Sequence, residues 1–137
     1  MRGKQYKGRK CANKINKKFR LMYADIYNLF PTIGEVNKNR KNFGMSIIKG
    51  EKMEFGKCDF EIENNKVEPR EEIRGIIART YFYMDFAYPE KGIVSEKNKN
   101  LFEKWDQRYP VDEWECKRAK KIENIQGNQN IFVIQSC

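Results

Sequence analysis

The chain has 137 residues, a net charge of +9, no histidine and no apolar run near the ~20 residues that would span a bilayer. That length fits one domain with a single core, expected to be a soluble monomer with no membrane partner. No charged, then apolar, then small-residue leader follows Met1, so the expectation is either a protein that stays in the cytoplasm or one whose leader belongs to a longer precursor.

The charge is uneven. Residues 1–42 carry twelve Lys or Arg against Asp25 and Glu35, a net +10, and the remainder sums to −1. A solvated arm explains part of this, and residues 1–14, which lack periodicity, read that way. A surface for the DNA or RNA backbone explains the rest, because a polyanion held there releases its counterions. Arg9, Lys10, Lys17, Arg20, Lys38 and Arg40 are the candidate backbone contacts.

From Phe19 to Asn28 the apolar positions Phe19, Met22, Tyr23 and Ile26 fall at i, i+3, i+4 and i+7, one face of a helix. Pro31 is expected to end it by pushing Phe30 out of helical geometry. Asn28 lies off that face near the helix end. Its amide oxygen suits a phosphate neighbour or a hard divalent cation, magnesium or calcium, although asparagine there is also an ordinary cap or turn residue.

A loop is expected over Gly34–Gly44. Its Glu35 and Asn37 are taken as turn formers ahead of metal or base contacts. Two extended runs follow, Gly44–Ile48 and Met53–Glu61, pairing as a small antiparallel hairpin or meander. Glu68–Tyr88 is the longest helical stretch, with Pro69 in its first turn and Ile73, Ile76, Ile77, Met84 and Tyr88 buried. It is apolar nearly all round from Ala78 to Phe86, which marks the central core helix. Gly75 costs ~1 kcal/mol relative to alanine, so a close neighbour is expected. Arg74 and Arg79 lie about 140° apart by helical geometry. One is assigned to a core carboxylate such as Glu68 and the other, Arg79, to phosphate.

Ser95 caps a helix bearing Leu101, Phe102 and Trp105. Asp112 with Glu115 resembles a capping box for the next helix, which Gly127 stops. Trp114, Ile122 and Ile125 are its expected inner stripe, with Lys117, Arg118, Lys120 and Lys121 outside. The run Ile131–Ile134 is expected to dock on the core. The spacing of Cys11, Cys58, Cys116 and Cys137 offers no zinc site. Two disulfides in an oxidising compartment or four thiols remain, with Cys116–Cys137 the favoured pairing because it would tie down the carboxyl end. The fold class is α+β, mainly helical with a small antiparallel sheet.

Several blocks in order then carry a resemblance. YADIYNLFPTIGEVNKNRKNF (Tyr23–Phe43), FGKCDFEI (Phe55–Ile62), EPREEIRGIIARTYFYM (Glu68–Met84), LFEKWDQRYPVDEWECKRAKKIENIQGNQN (Leu101–Asn130) and the closing cysteine resemble the endonuclease I family, over roughly residues 5–137. The resemblance implies a secreted or periplasmic bacterial nuclease that cuts DNA, often RNA too, without sequence preference. It also implies a ββα-metal finger holding one divalent cation, with Asn28 as the metal-coordinating asparagine. The family's general base is a histidine after a glutamate ligand, and both lie upstream of anything aligned here, so the finger is expected to be incomplete. Tyr27 and Gln129 stand where many relatives carry histidine. The expected protein is thus a truncated or degenerate nuclease that binds nucleic acid and cleaves little by itself. The alternative is a non-catalytic basic binding or interaction module.

Overall fold

The computed structural model describes residues 8–50 and 53–137, so the expected arm at residues 1–7 lies outside the described residues. The rest of that arm is helical. Helix α1 (Arg9–Ile15) breaks at Asn16, whose side chain accepts from the Phe19 amide at 2.9 Å and caps α2 (Lys17–Ala24). Arg20 donates back to the carbonyls of Asn13 and Lys14, closing the end of α1.

The expected Phe19–Asn28 helix is not continuous. Asp25 takes an extended conformation (φ −63°, ψ 117°), and its carboxylate caps a separate 3-10 turn, Ile26–Asn28. Termination therefore precedes Pro31 by several residues and comes from an aspartate turn. A helix, α3 (Gly34–Arg40), also replaces the loop expected over Gly34–Gly44. Glu35 in its first turn and Lys38 and Arg40 in its last complement the helix dipole.

The sheet is smaller and differently wired than expected. β1 (Gly44–Met45), β2 (Phe60–Glu63) and β3 (Lys66–Pro69) lie in the order β1-β3-β2. β2 and β3 form an antiparallel hairpin with Glu61 opposite Glu68, while β1 runs parallel to β3. Asn64 and Asn65 make the hairpin turn, both at positive φ as a two-residue primed turn requires. Residues 54–57 are turns, because the apolar spacing from Phe55 to Cys58 is three, not two. Pro69 ends a strand instead of opening a helix.

After a 3-10 turn, Glu71–Ile73, the central helix α4 (Arg74–Ala87) separates two apolar clusters. One gathers Tyr27, Tyr83, Met84, Ala119, Ile122 and Val133; the other gathers Met45, Phe60, Val67, Ala78, Phe102 and Trp105. Gly75 is required: a Cβ there would sit 2.2 Å from the Tyr109 carbonyl oxygen. Ser95 caps α5 (Glu96–Arg108), Asp112 caps α6 (Glu113–Gln126), and left-handed Gly127 ends α6.

Helix α6 buries a different stripe from the expected one. Trp114 and Ile125 are exposed, whereas Glu115, Ala119 and Ile122 are buried. Glu115, Ala119, Ile122 and Gln126 lie within about 60° on the helical wheel. That face meets α4 and the 26–28 turn with polar as well as apolar groups, which an apolar count overlooks. The tail forms α7 (Ile131–Ile134), with Val133 buried. A Cys116–Cys137 disulfide ties α6 to the chain end, while Cys11 and Cys58 remain thiols. The outcome is one disulfide, neither two nor none.

Candidate functional site

Asn28 sits exposed at the end of its turn, and the turn is fixed from below. Asp25 is 3% exposed, and its two oxygens accept four hydrogen bonds. Oδ1 takes the Tyr27 amide and the Gln126 side-chain amide, each at 3.0 Å. Oδ2 takes the Tyr83 and Tyr88 hydroxyls, each at 2.8 Å. A buried carboxylate is costly unless satisfied in this way. Gln126 closes the loop, its Oε1 accepting from the Ile26 amide at 2.8 Å.

The carbonyl side of the same turn belongs to Arg118. Its Nη2 donates to the carbonyls of Ile26 at 2.9 Å, Tyr27 at 3.4 Å and Leu29 at 3.0 Å. Its guanidinium also lies over the Phe30 ring, 4.1 Å from the centroid. Arg118, expected on the outer face of α6, therefore grips a backbone, but this protein's own. Burial pulls its pKa below the ordinary arginine value, partly offset by Glu115 and Tyr27.

Burial, reinforced by the Asp25 carboxylate, raises the Tyr83 and Tyr88 hydroxyls well above the usual tyrosine range. Tyr27, 1% exposed, is raised chiefly by burial too, and its hydroxyl donates to the carbonyls of Ala119 and Asn128. The residues that hold Asn28 in place thus stay protonated and uncharged, apart from one satisfied aspartate and one arginine. The arrangement presents a fixed carboxamide to solvent.

A divalent cation of the magnesium or calcium type needs about six or more oxygen ligands. Asn28 supplies one. Asp25 is turned inward and engaged, and among the described residues no three His, Cys, Asp or Glu gather into a metal-holding group. The residues present do not by themselves make a cation site.

Of the candidate backbone contacts, Arg9, Lys10, Lys17 and Arg20 are exposed on the α1–α2 pair, which the structure packs together. Arg9 lies over the Tyr23 ring at 5.4 Å. Lys38 is exposed on α3, and Arg40 is half-buried there, its Nη2 3.5 Å from the Tyr81 hydroxyl. Glu35 and Asn37 are exposed on the same helix.

Arg79 has to be moved from the surface to the interior. It is 2% exposed and donates to both Glu115 oxygens at 2.9 and 2.7 Å, to Asp106 at 2.7 Å and to the Tyr109 carbonyl at 2.9 Å. Burial opposes its charge, but the two carboxylates outweigh it and raise its pKa. Every direction in which it could meet phosphate is closed. Arg74 is buried as well, paired with Glu68 at 2.6 Å, while the second Glu68 oxygen accepts from the Ile48 amide. Both helix arginines serve core carboxylates, because each side of α4 is covered.

Asp25, Arg118 and Gln126 escaped the sequence reading. Asp25 alone carried a local signal, an aspartate two residues before the amide it accepts from. Arg118 and Gln126 are far along the chain and are joined to the turn only by the fold.

A family model described as Endonuclease I matches residues 9–137. The chain is 43% identical over 131 residues to Endonuclease-1 of Buchnera aphidicola subsp. Acyrthosiphon pisum (strain APS), covering 94% of this chain and 51% of that protein. It is 41% identical over 134 residues to an extracellular deoxyribonuclease of Aeromonas hydrophila, 95% and 56% covered, and 40% identical over 133 residues to that organism's periplasmic deoxyribonuclease, 95% and 55% covered. The chain spans about half the length of the curated relatives it matches. A family-model match over nearly every described residue means that the chain belongs to the endonuclease I family.

Proposed function

We propose that this chain is the Asn28-bearing part of an exported nuclease domain that engages the DNA or RNA backbone and, by itself, hydrolyses phosphodiesters weakly or not at all. The observation that carries this is a family match over residues 9–137 in a chain without histidine. Hydrolysis of a phosphodiester needs a group that takes a proton from the attacking water. Lysine and arginine are cationic at neutral pH, and ordinary Asp or Glu is a weak base there. The exposed basic residues of α1, α2 and α3 supply the backbone contacts. Asn28 supplies one oxygen for a divalent cation held otherwise by water. Relatives named extracellular or periplasmic, together with the Cys116–Cys137 bond, support export to an oxidising compartment.

The test is duplex binding across a salt series and plasmid nicking with magnesium, on one preparation. Binding should weaken steeply with salt and nicking should stay at background. Robust nicking by protein shown free of contaminating nuclease would overturn the weak-activity part. Salt-insensitive or absent binding would overturn the nucleic-acid part.

A further inference from the structure

Arg118 does more than hold the Asn28 turn. While its Nη2 donates to the carbonyls of Ile26, Tyr27 and Leu29, the guanidinium lies 4.1 Å from the centre of the Phe30 ring, which is still 39% exposed. On α6 the same arginine belongs to an outer stripe: Trp114, Arg118, Lys121 and Ile125 fall within about 60° on the helical wheel. Trp114 precedes Arg118 by one turn, about 6 Å along the axis, and is 54% exposed. Among the described residues beyond Met53, the large apolar side chains left outside are Phe86, Trp114 and Ile125, and two of these three share the stripe. No carboxylate interrupts it. Glu113 lies about 100° away from Trp114 on the wheel and is paired with Lys117 at 2.5 Å.

We propose that Trp114 and Phe30, joined by Arg118, form a stacking row for unpaired nucleobases, and that Lys121 meets the phosphates of the same strand. An aromatic face accepts any base freed from its neighbours, whereas bases inside a duplex already have their faces covered. Cations beside such rings suit a strand that carries one phosphate per base. A protein partner fits less well, because lysine is depleted at protein–protein interfaces. A second copy of the chain would bring its own +9 against this face. The Phe30 end of the row lies two residues from Asn28, on a backbone that Asp25 and Arg118 fix. The ring is thus set before a strand arrives, and little ordering is lost on binding. The proposal rests on the nucleic-acid reading and deepens it. Backbone contacts alone do not distinguish paired from unpaired bases, and this row adds a preference for single-stranded or locally melted substrate.

Trp114 is its own reporter, since the other tryptophan, Trp105, is 4% exposed and serves as an internal reference. Emission of the full chain is followed against a short oligothymidylate and against a duplex of equal length, without divalent cation so that nothing is cleaved. The oligothymidylate should quench Trp114, and the Trp105 emission that remains in Trp114→Leu should not respond. Trp114→Leu and Phe30→Leu each keep an apolar side chain but lose the flat ring. Each should weaken oligothymidylate binding by about tenfold, with duplex affinity within about twofold and helix content unchanged. Lys121→Gln should lower both affinities and shallow both salt slopes. Trp114 emission that ignores the oligothymidylate overturns the proposal, as does undiminished affinity in Trp114→Leu or an equal loss on strand and duplex. Quenching that grows with protein concentration in the absence of oligonucleotide overturns it in favour of self-association. Failure of the unaltered chain to bind either nucleic acid would sink the nucleic-acid reading as a whole. Salt-sensitive binding of both with Trp114 silent would sink the stacking row alone.

Discussion

The two halves of the molecule are stabilised in opposite ways. From α4 to the carboxyl end, polar groups are buried and fully paired: Arg79 with Glu115 and Asp106, Arg74 with Glu68, and a disulfide closing the end. From α1 to β1, charges are exposed and much of the apolar surface is too. Two points in that first part are sealed into the second: the Asp25 turn, and Met45 of β1, which joins the cluster of Ala78, Phe102 and Trp105. The carboxyl half is a finished scaffold, whereas the amino half is a set of surfaces positioned by it.

Four changes would break or sharpen this contrast. The largest effect is expected from Arg79→Ala. It strands Glu115, 4% exposed, without its partner, and loss of one member of a buried pair costs roughly 3–5 kcal/mol. Urea denaturation should show it, and a cost below ~1 kcal/mol would mean that the pair is not a keystone of the scaffold.

Next comes Asp25→Asn, which offers an NH₂ where a tyrosine hydroxyl or an amide now donates. A cost of roughly 1–3 kcal/mol is expected, with faster amide exchange at Ile26 and Tyr27. Unchanged exchange would separate Asp25 from the turn.

The alkaline limb of stability tests the same node more gently. Tyr83 and Tyr88 have raised pKa values when folded, against an ordinary 10.0. Above that value the unfolded chain loses the protons first. Their contribution is therefore complete below about pH 10 and is lost as pH climbs towards the folded values. Tyr83→Phe and Tyr88→Phe should each flatten that decline; an unaltered slope would assign it elsewhere.

The smallest stability effect belongs to the exposed cations. Lys10→Glu with Lys17→Glu should change unfolding by no more than ~0.5 kcal/mol. The same pair should weaken duplex binding and shallow its salt slope by ~1 for each phosphate that is no longer neutralised. Unchanged affinity would remove the α1–α2 pair from the binding surface.

Much of the scaffold was legible because its signals are local. Ser95, the Asp112 cap, Gly127, and the need for something close to Gly75 follow from nearby residues, and the apolar character of α4 announces a central helix. What was missed depends on distant partners. A Glu-rich strand end at Glu68–Pro69 looks like a helix start until β2 pairs with it. α6 buries Glu115 and leaves Trp114 outside because Arg79 waits on the facing helix. Arg79 itself reads as a surface cation until two carboxylates are brought around it. At the site, Asn28 was visible as a residue type at a turn, but the groups that hold its backbone were not.

The partners of Asp25 lie 58, 63 and 101 positions further along the chain, at Tyr83, Tyr88 and Gln126. Pairings of such long range carry a large loop-closure entropy and form late in folding. During synthesis the Asn28 turn therefore leaves the ribosome ahead of the helices that set it. A nascent chain stalled before residue 118 would display every residue of that turn while lacking both Arg118 and Gln126 to shape it.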